Sequence, residues 1–234
     1  VGAPSMLNPV DKHAIEAAVA VKDAIGGTVT ILTMGNALAG EMMRDGIAIG
    51  ADKGVLVSDE RMAGSDTLAT GLVLAKAIEK LGGADLVFTG KRSTDGDTGQ
   101  IPPAIAQRLG MALISYANSV SVDGTTVTAT RLNHDGIETV QAQLPAVVSV
   151  TEKSNTPRSP KIRGKMAAKK AVVDVWRIED LGLDAASVGK SGSATKVTEL
   201  FAPEPNPVGV MIEGATPADA AANLVKELTA KNLL

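Results

Sequence analysis

One stretch constrains this chain more than any other: Leu86-Val87-Phe88-Thr89 followed by Gly90-Lys91-Arg92-Ser93-Thr94-Asp95-Gly96-Asp97-Thr98-Gly99-Gln100. An apolar run ending at glycine reads as a buried strand, and the small polar residues after it read as a loop entering a helix near Asp97 or Thr98. The first N–H groups of a helix lack internal partners and carry the positive end of its dipole, so an anionic phosphate is stabilised there. Gly96 and Gly99 would let backbone approach such an anion closely. Any strand-to-helix unit also needs a polar turn and an Asp or Thr cap, so spacing alone leaves both readings open. The turn is neither a GxGxxG nor a Walker A pattern.

The rest of the first half repeats that grammar. Asn8-Pro9-Val10-Asp11 opens a helix, with Asn8 placed as N-cap and Pro9 at the first helical position, and Gly26-Gly27 ends it. Val29–Thr33 is a strand closed by Met34-Gly35-Asn36, a helix runs from about Ala37 to Ile49, and Val55–Val57 is the next strand. Asp66 caps a long helix carrying Leu68, Leu72, Leu74, Ala75 and Ile78. Continuous apolar strands alternating with helices predict an α/β fold, a parallel sheet with helices on both faces and ligands at the carboxyl ends of the strands.

Composition narrows function by exclusion. A length of 234 residues with 44% hydrophobic content allows one sizeable core with a smaller appendage. The net charge of −3 provides no global field for nucleic acid or anionic membrane, and 2% aromatic residues argue against stacking platforms. No apolar run approaches a membrane span and no signal peptide is visible, so the expected location is the cytoplasm. Without cysteine there are no disulfides, thiolate metal sites or thiol nucleophiles, and neither His13 nor His134 has metal-ligand spacing. No Ser/His/Asp set or carboxylate pair marks a catalytic site.

Beyond Leu109 the pattern changes. Asp123-Gly124 between Ser119–Val122 and Thr125–Arg131 predicts a β-hairpin, and His134-Asp135-Gly136 a second turn before strands at Glu138–Gln143 and Ala146–Val150. Residues 153–170 carry Lys153, Arg158, Lys161, Arg163, Lys165, Lys169 and Lys170 with no acid, interrupted by Pro157 and Pro160. Such a run is ordinarily a solvated loop, yet Ile162 and Met166 stand within it, and exposed apolar residues call for a partner. A short helix around Arg163–Lys169 would project there. The domain reading is an α/β domain over 1–186 and an arm over 187–234. That arm has a Gly/Ser-rich stretch, the extended run Phe201-Ala202-Pro203-Glu204-Pro205-Asn206-Pro207, and a terminal helix from Thr216-Pro217.

These residues, taken in order, closely resemble the β subunit of electron-transfer flavoproteins. The resemblance is carried by Asn8–Asp11 with Ile15–Ala18, Gly50–Lys53, Gly64–Thr70, Gly90–Gln100, Leu144–Val148, Asn155–Arg158 and Ile162–Met166. It implies an adenine-nucleotide α-hydrolase-like fold and a heterodimer with an α subunit whose FAD, shared at the interface, passes electrons between redox partners. It also implies a nucleotide held by the β subunit, AMP in one branch and a second FAD in the electron-bifurcating branch. The implied contacts are Asn8, Pro9, Val10, Asp11, Met34 and the loop Gly90, Lys91, Arg92, Ser93, Thr94, Asp95, Gly96, Asp97, Thr98, Gly99, Gln100 and Ile101. Asp95-Gly96-Asp97-Thr98 resembles the bifurcating and nitrogen-fixation-linked form. The AMP branch tends to carry a third acid at the position of Gly96, so a second FAD is favoured over AMP. Pro157, Arg158, Ile162 and Met166 would meet an acyl-CoA-type or other flavin dehydrogenase, with NADH a candidate donor and the terminal helix docking on the α subunit. Family members begin with a strand before the Asn-Pro element. A parallel sheet lacking it would expose a long edge, which leads to the expectation that the given sequence omits its true start. The rival reading is an adenine-nucleotide-binding module of the stress-protein type without a redox role.

Overall fold

The computed structural model describes residues 6–199, 201–206 and 209–234, so Pro207 of the proline run lies outside the described residues. The chain divides into two compact units, one ending at Lys196 and the other starting at Val197. In the first, α1 (Pro9–Ile25), β1 (Thr30–Met34), α2 (Ala39–Ile49), β2 (Lys53–Val57), α3 (Thr67–Lys80), β3 (Leu86–Gly90) and α4 (Ile101–Leu109) alternate as expected. β4 (Ala112–Ala117), β5 (Ser119–Asp123), β6 (Thr126–Asn133), β7 (Gly136–Gln143) and β8 (Ala146–Val150) follow, then α5 (Ile162–Lys170), β9 (Val173–Trp176) and the single turn α6 (Gly189–Gly192). The second unit holds α7 (Pro217–Ala230).

Two parallel sheets, ordered β1-β2-β9 and β3-β8-β4, carry the fold, and β5-β6-β7 form an antiparallel sheet of two hairpins. Alternate strand residues point to opposite faces, and both faces are covered. Phe88 and Val148 pack with Ala14 and Ala17 of α1, while Val87 and Val147 pack with Ile78 of α3 and Ile105 and Ala106 of α4. The central strand β8 is buried along its whole length, and β1 and β3 each pair on one side only among the described strands.

Local chemistry explains several element ends. The Asp66 carboxylate accepts from the Ala69 N–H at 3.0 Å, so Asp66 caps α3 as expected. Thr216 and Asp219 exchange hydrogen bonds as a capping box on α7, behind Pro217. α3 buries small residues, Ala69, Val73 and Ala77, instead of Leu68, which is 54% exposed. The reason is close helix packing: a Cβ on Gly71 would lie 2.6 Å from the Ala104 side chain of α4.

Two expectations need correction. α4 begins at Ile101, not at Asp97 or Thr98, because Pro102 and Pro103 fit only a first turn and Asp97 sits at φ 51. The arm does not start at 187. Val188 is fully buried beside Met62 and Ile178, the Gly189 N–H donates to Ser65 Oγ at 2.8 Å, and the Asp66 N–H donates to Ser193 Oγ at 2.8 Å. The Gly/Ser stretch therefore belongs to the first unit, which runs ten residues past the expected boundary, from 186 to Lys196.

Candidate functional site

The carboxyl end of β3 meets the start of α1. Gly90 approaches so closely that an added Cβ would lie 2.6 Å from Asp11 Oδ1. Its N–H donates to that oxygen at 2.8 Å, and Asn8 Nδ2 donates to Asp11 Oδ2 at 3.0 Å. Burial pushes the Asp11 carboxyl above its usual range, against the pull of the Asn8 and Gly90 donors. Asn8 also donates to the Arg92 carbonyl at 3.1 Å and accepts from Thr94 Oγ1 at 3.3 Å. Its side chain makes no cap bond, contrary to the expectation; it ties the head of α1 to a loop 84 residues away. Pro9 occupies the first turn as expected.

The loop itself is exposed and internally braced. Asp97 N–H donates to the Ser93 carbonyl at 3.1 Å, and Gly96 N–H donates to Asp95 Oδ1 at 2.7 Å and to Ser93 Oγ at 3.3 Å. The Ser93 hydroxyl and the Gly96 N–H hold the Asp95 carboxyl below its usual range. Arg92 pairs with Asp97 at 2.9 Å, and Lys91 with Glu152 at 2.8 Å. Lys91, Arg92 and Asp97 are thus ion-paired, while Asp95 is held by neutral donors alone. Gly99 takes φ +64, a conformation side chains resist, and leads to Gln100, whose Oε1 accepts from Thr67 Oγ1 at 2.6 Å. Among the described residues, the N–H groups of Thr98 and Gly99, like those of Arg92, Ser93 and Thr94, have no protein partner.

The late start of α4 limits what its N-terminus offers an anion. Pro102 and Pro103 carry no N–H, so the helix supplies Ile101 alone from its first three positions, and the loop must supply the remaining donors. Hydrogen bonds join Asn8, Asp11, Gly90, Arg92 and Thr94, while Val10 backs Gly90 through its carbonyl carbon. Met34 stands apart from that network: it ends β1 and packs against the Val57–Val73 core. Sequence reasoning missed Tyr116, whose hydroxyl lies over Gly99. The signal available was one tyrosine in a chain with almost no aromatics.

A second surface lies on α5. Gly164 permits the helix to touch α2, since a Cβ there would sit 2.2 Å from the Ala48 carbonyl oxygen. Arg44 Nη1 donates to the Ala168 and Ala171 carbonyls at 2.8 and 3.2 Å, satisfying the helix C-terminus. The helix is therefore seated on the fold and does not simply project from a loop. Ile162 and Met166, one turn apart, are 81% and 58% exposed. Pro157 is half-buried, and Arg158 is engaged: its guanidinium grips Glu16 at 2.9 Å and Asp23 at 2.7 Å.

No group of His, Asp and Glu among the described residues could hold a metal, and no helix among them is long and apolar enough to cross a membrane. Residues 1–181 match the electron transfer flavoprotein domain family. The subunit CarD of the caffeyl-CoA reductase-Etf complex of Acetobacterium woodii is 38% identical over the whole chain and 89% of its own length. The electron transfer flavoprotein subunit beta of Megasphaera elsdenii is 40% identical over 91% of this chain and 81% of its own. Protein FixA of Bradyrhizobium diazoefficiens is 40% identical over 86% of this chain and 73% of its own. With the strand-end loop, the braced head of α1 and a match along most of its length, the chain belongs to the electron-transfer flavoprotein family, among its β subunits.

Proposed function

We propose that this chain is the β subunit of a heterodimeric electron-transfer flavoprotein and holds a nucleotide of its own between the head of α1 and the Gly90–Ile101 loop. Electron transfer between a flavin dehydrogenase and other redox partners is the function of such a subunit, and the stress-protein reading is not favoured. The residues fit a nucleotide in their donor chemistry. Thr98 and Gly99 offer N–H groups that no protein acceptor uses, at a glycine whose φ of +64 keeps side chains away. When bound, FAD supplies reversible electron transfer; the chain's part is to bind and orient it.

FAD is favoured over AMP, and Gly96 is the observation that carries the choice. Asp95 is already committed to Ser93 and Gly96, and Asp97 to Arg92. A third acid at position 96 would have no such partner and would stand unneutralised beside a diphosphate. Glycine removes that charge together with its bulk. NADH as donor and flavin-based bifurcation belong to the same reading. The face of Ile162 and Met166 is assigned to the dehydrogenase, and the arm ending in α7 to the α subunit.

Purifying the chain with its α partner and quantifying released FAD and AMP tests the assignment. Two FAD per heterodimer without AMP supports it. One FAD and one AMP would keep the site but replace its occupant, and a single FAD with no further nucleotide would remove the site.

A further inference from the structure

β4 loses register with β8 between Ile114 and Ala117, and at that bulge Tyr116 adopts φ +59. Aromatic side chains rarely occupy this backbone region, and bulges re-aim side chains. Core packing does not account for the conformation, since Tyr116 is 46% exposed. Its N–H donates to the Oγ of Ser149 at 3.0 Å, and Ser149 is 1% exposed on the central strand, so the strained backbone is pinned from within the sheet. The ring turns outward until its hydroxyl lies over Gly99, where a Cβ would sit 3.0 Å from the phenol oxygen and 3.5 Å from the Lys91 carbonyl. These two oxygens flank the space beside Gly99 that a side chain there would enter.

We propose that Tyr116 is a positioning residue for the nucleotide loop: the bulge in β4 aims its phenol at Gly99 and so fixes the Thr98 and Gly99 N–H groups to receive an anionic ligand. The inference rests on the nucleotide reading of the loop and adds a residue that the sequence pattern of the loop does not contain. Strain held at a half-exposed position is the signature of a local structure maintained for function at some cost in stability.

ADP is the probe, because it contains the adenosine and diphosphate of FAD. Affinity is measured by calorimetry on the full chain, alongside the thermal midpoint. Tyr116→Gly removes both strain and buttress, and should weaken ADP about tenfold while leaving the midpoint unchanged or higher. Tyr116→Phe keeps the ring but removes the oxygen that faces Gly99, and should weaken ADP nearly as much as Tyr116→Gly; Tyr116→Phe binding ADP as wild type does would overturn the role of the phenol. The chain has one tyrosine, so fluorotyrosine labelling gives a single fluorine resonance, which ADP should shift. ADP binding equally well to wild type and Tyr116→Gly, or leaving that resonance unmoved, overturns the proposal while sparing the nucleotide site. Wild type that fails to bind ADP overturns the nucleotide reading and this proposal together.

Discussion

Replacing Ile162 with alanine separates docking from folding. At 81% exposure the side chain contributes little to its own core, and alanine is the better helix former at the head of α5, so the thermal midpoint should stay nearly constant. On a partner the same side chain has most of its area to bury. Ile→Ala removes three carbons at about 0.8 kcal/mol each, which, scaled by the exposed fraction, gives about 2 kcal/mol, or roughly thirtyfold in affinity. α5 can transmit that loss because Gly164 and Arg44 fix it to α2, leaving the Ile162 face presented without an ordering cost. Lys161, Arg163, Lys165, Lys169 and Lys170 form no ion pairs among the described residues, so they should set encounter rate and salt dependence. Dehydrogenase-coupled flavin reduction at subsaturating partner, at two ionic strengths, is the assay. Equal rates for wild type and Ile162→Ala at both would return α5 to an ordinary solvated surface. Arg158 is a poor probe of steering, since its reversal would break the grip on Glu16 and Asp23; Lys165→Glu is the clean charge reversal.

Gly90→Ala drives a methyl into Asp11 and the α1 backbone, and should cost about 1–3 kcal/mol in chemical unfolding along with bound nucleotide. Unfolding unchanged from wild type would mean the contact is looser than its geometry indicates. Asp11, raised by burial, favours its neutral form in the fold; its stabilisation is complete below the unfolded value and declines as pH rises through the folded one. Wild type should therefore lose stability relative to Asp11→Asn as the pH is raised from about 4, and parallel pH profiles would contradict this. Deleting Thr216–Leu234 removes a helix none of whose residues is buried, so the midpoint of the first unit should hold while sedimentation shows weaker association with the α subunit. Unaltered association would assign the helix elsewhere.

What could be read in advance was local. Apolar runs gave β1, β2 and β3, Asp66 announced α3, and Thr216-Pro217 announced α7, because caps and periodicity depend on neighbours in sequence. The Asp123-Gly124 turn lay between the strands it was expected to join. Errors arose where distant residues decide. Asn8 resembled a cap, but its amide serves residues 84 and 86 positions away. Arg158 reads as one cation of a basic run and a dehydrogenase contact, whereas its guanidinium is engaged by acids 142 and 135 residues back. Ser193 and Val188 read as linker, although one bonds the head of α3 and the other fills a core. The start of α4 was the exception, since Pro102 and Pro103 were legible and should have moved it from Asp97 to Ile101. Tyr116 stood out only as the one tyrosine of the chain; its bulge was not legible, because a bulge is a property of two strands and not of one.

In the proposed site the Gly90–Ile101 loop, braced by Asn8 and Asp11, holds the nucleotide through its free N–H groups. Amide hydrogen exchange of the full chain with and without ADP, resolved to single residues, tests it most directly. Thr98 and Gly99 should gain protection, with smaller gains at Gly90 and Ile101 and none in the β6–β7 hairpin. Exchange at Thr98 and Gly99 that stays fast under saturating ADP would contradict it.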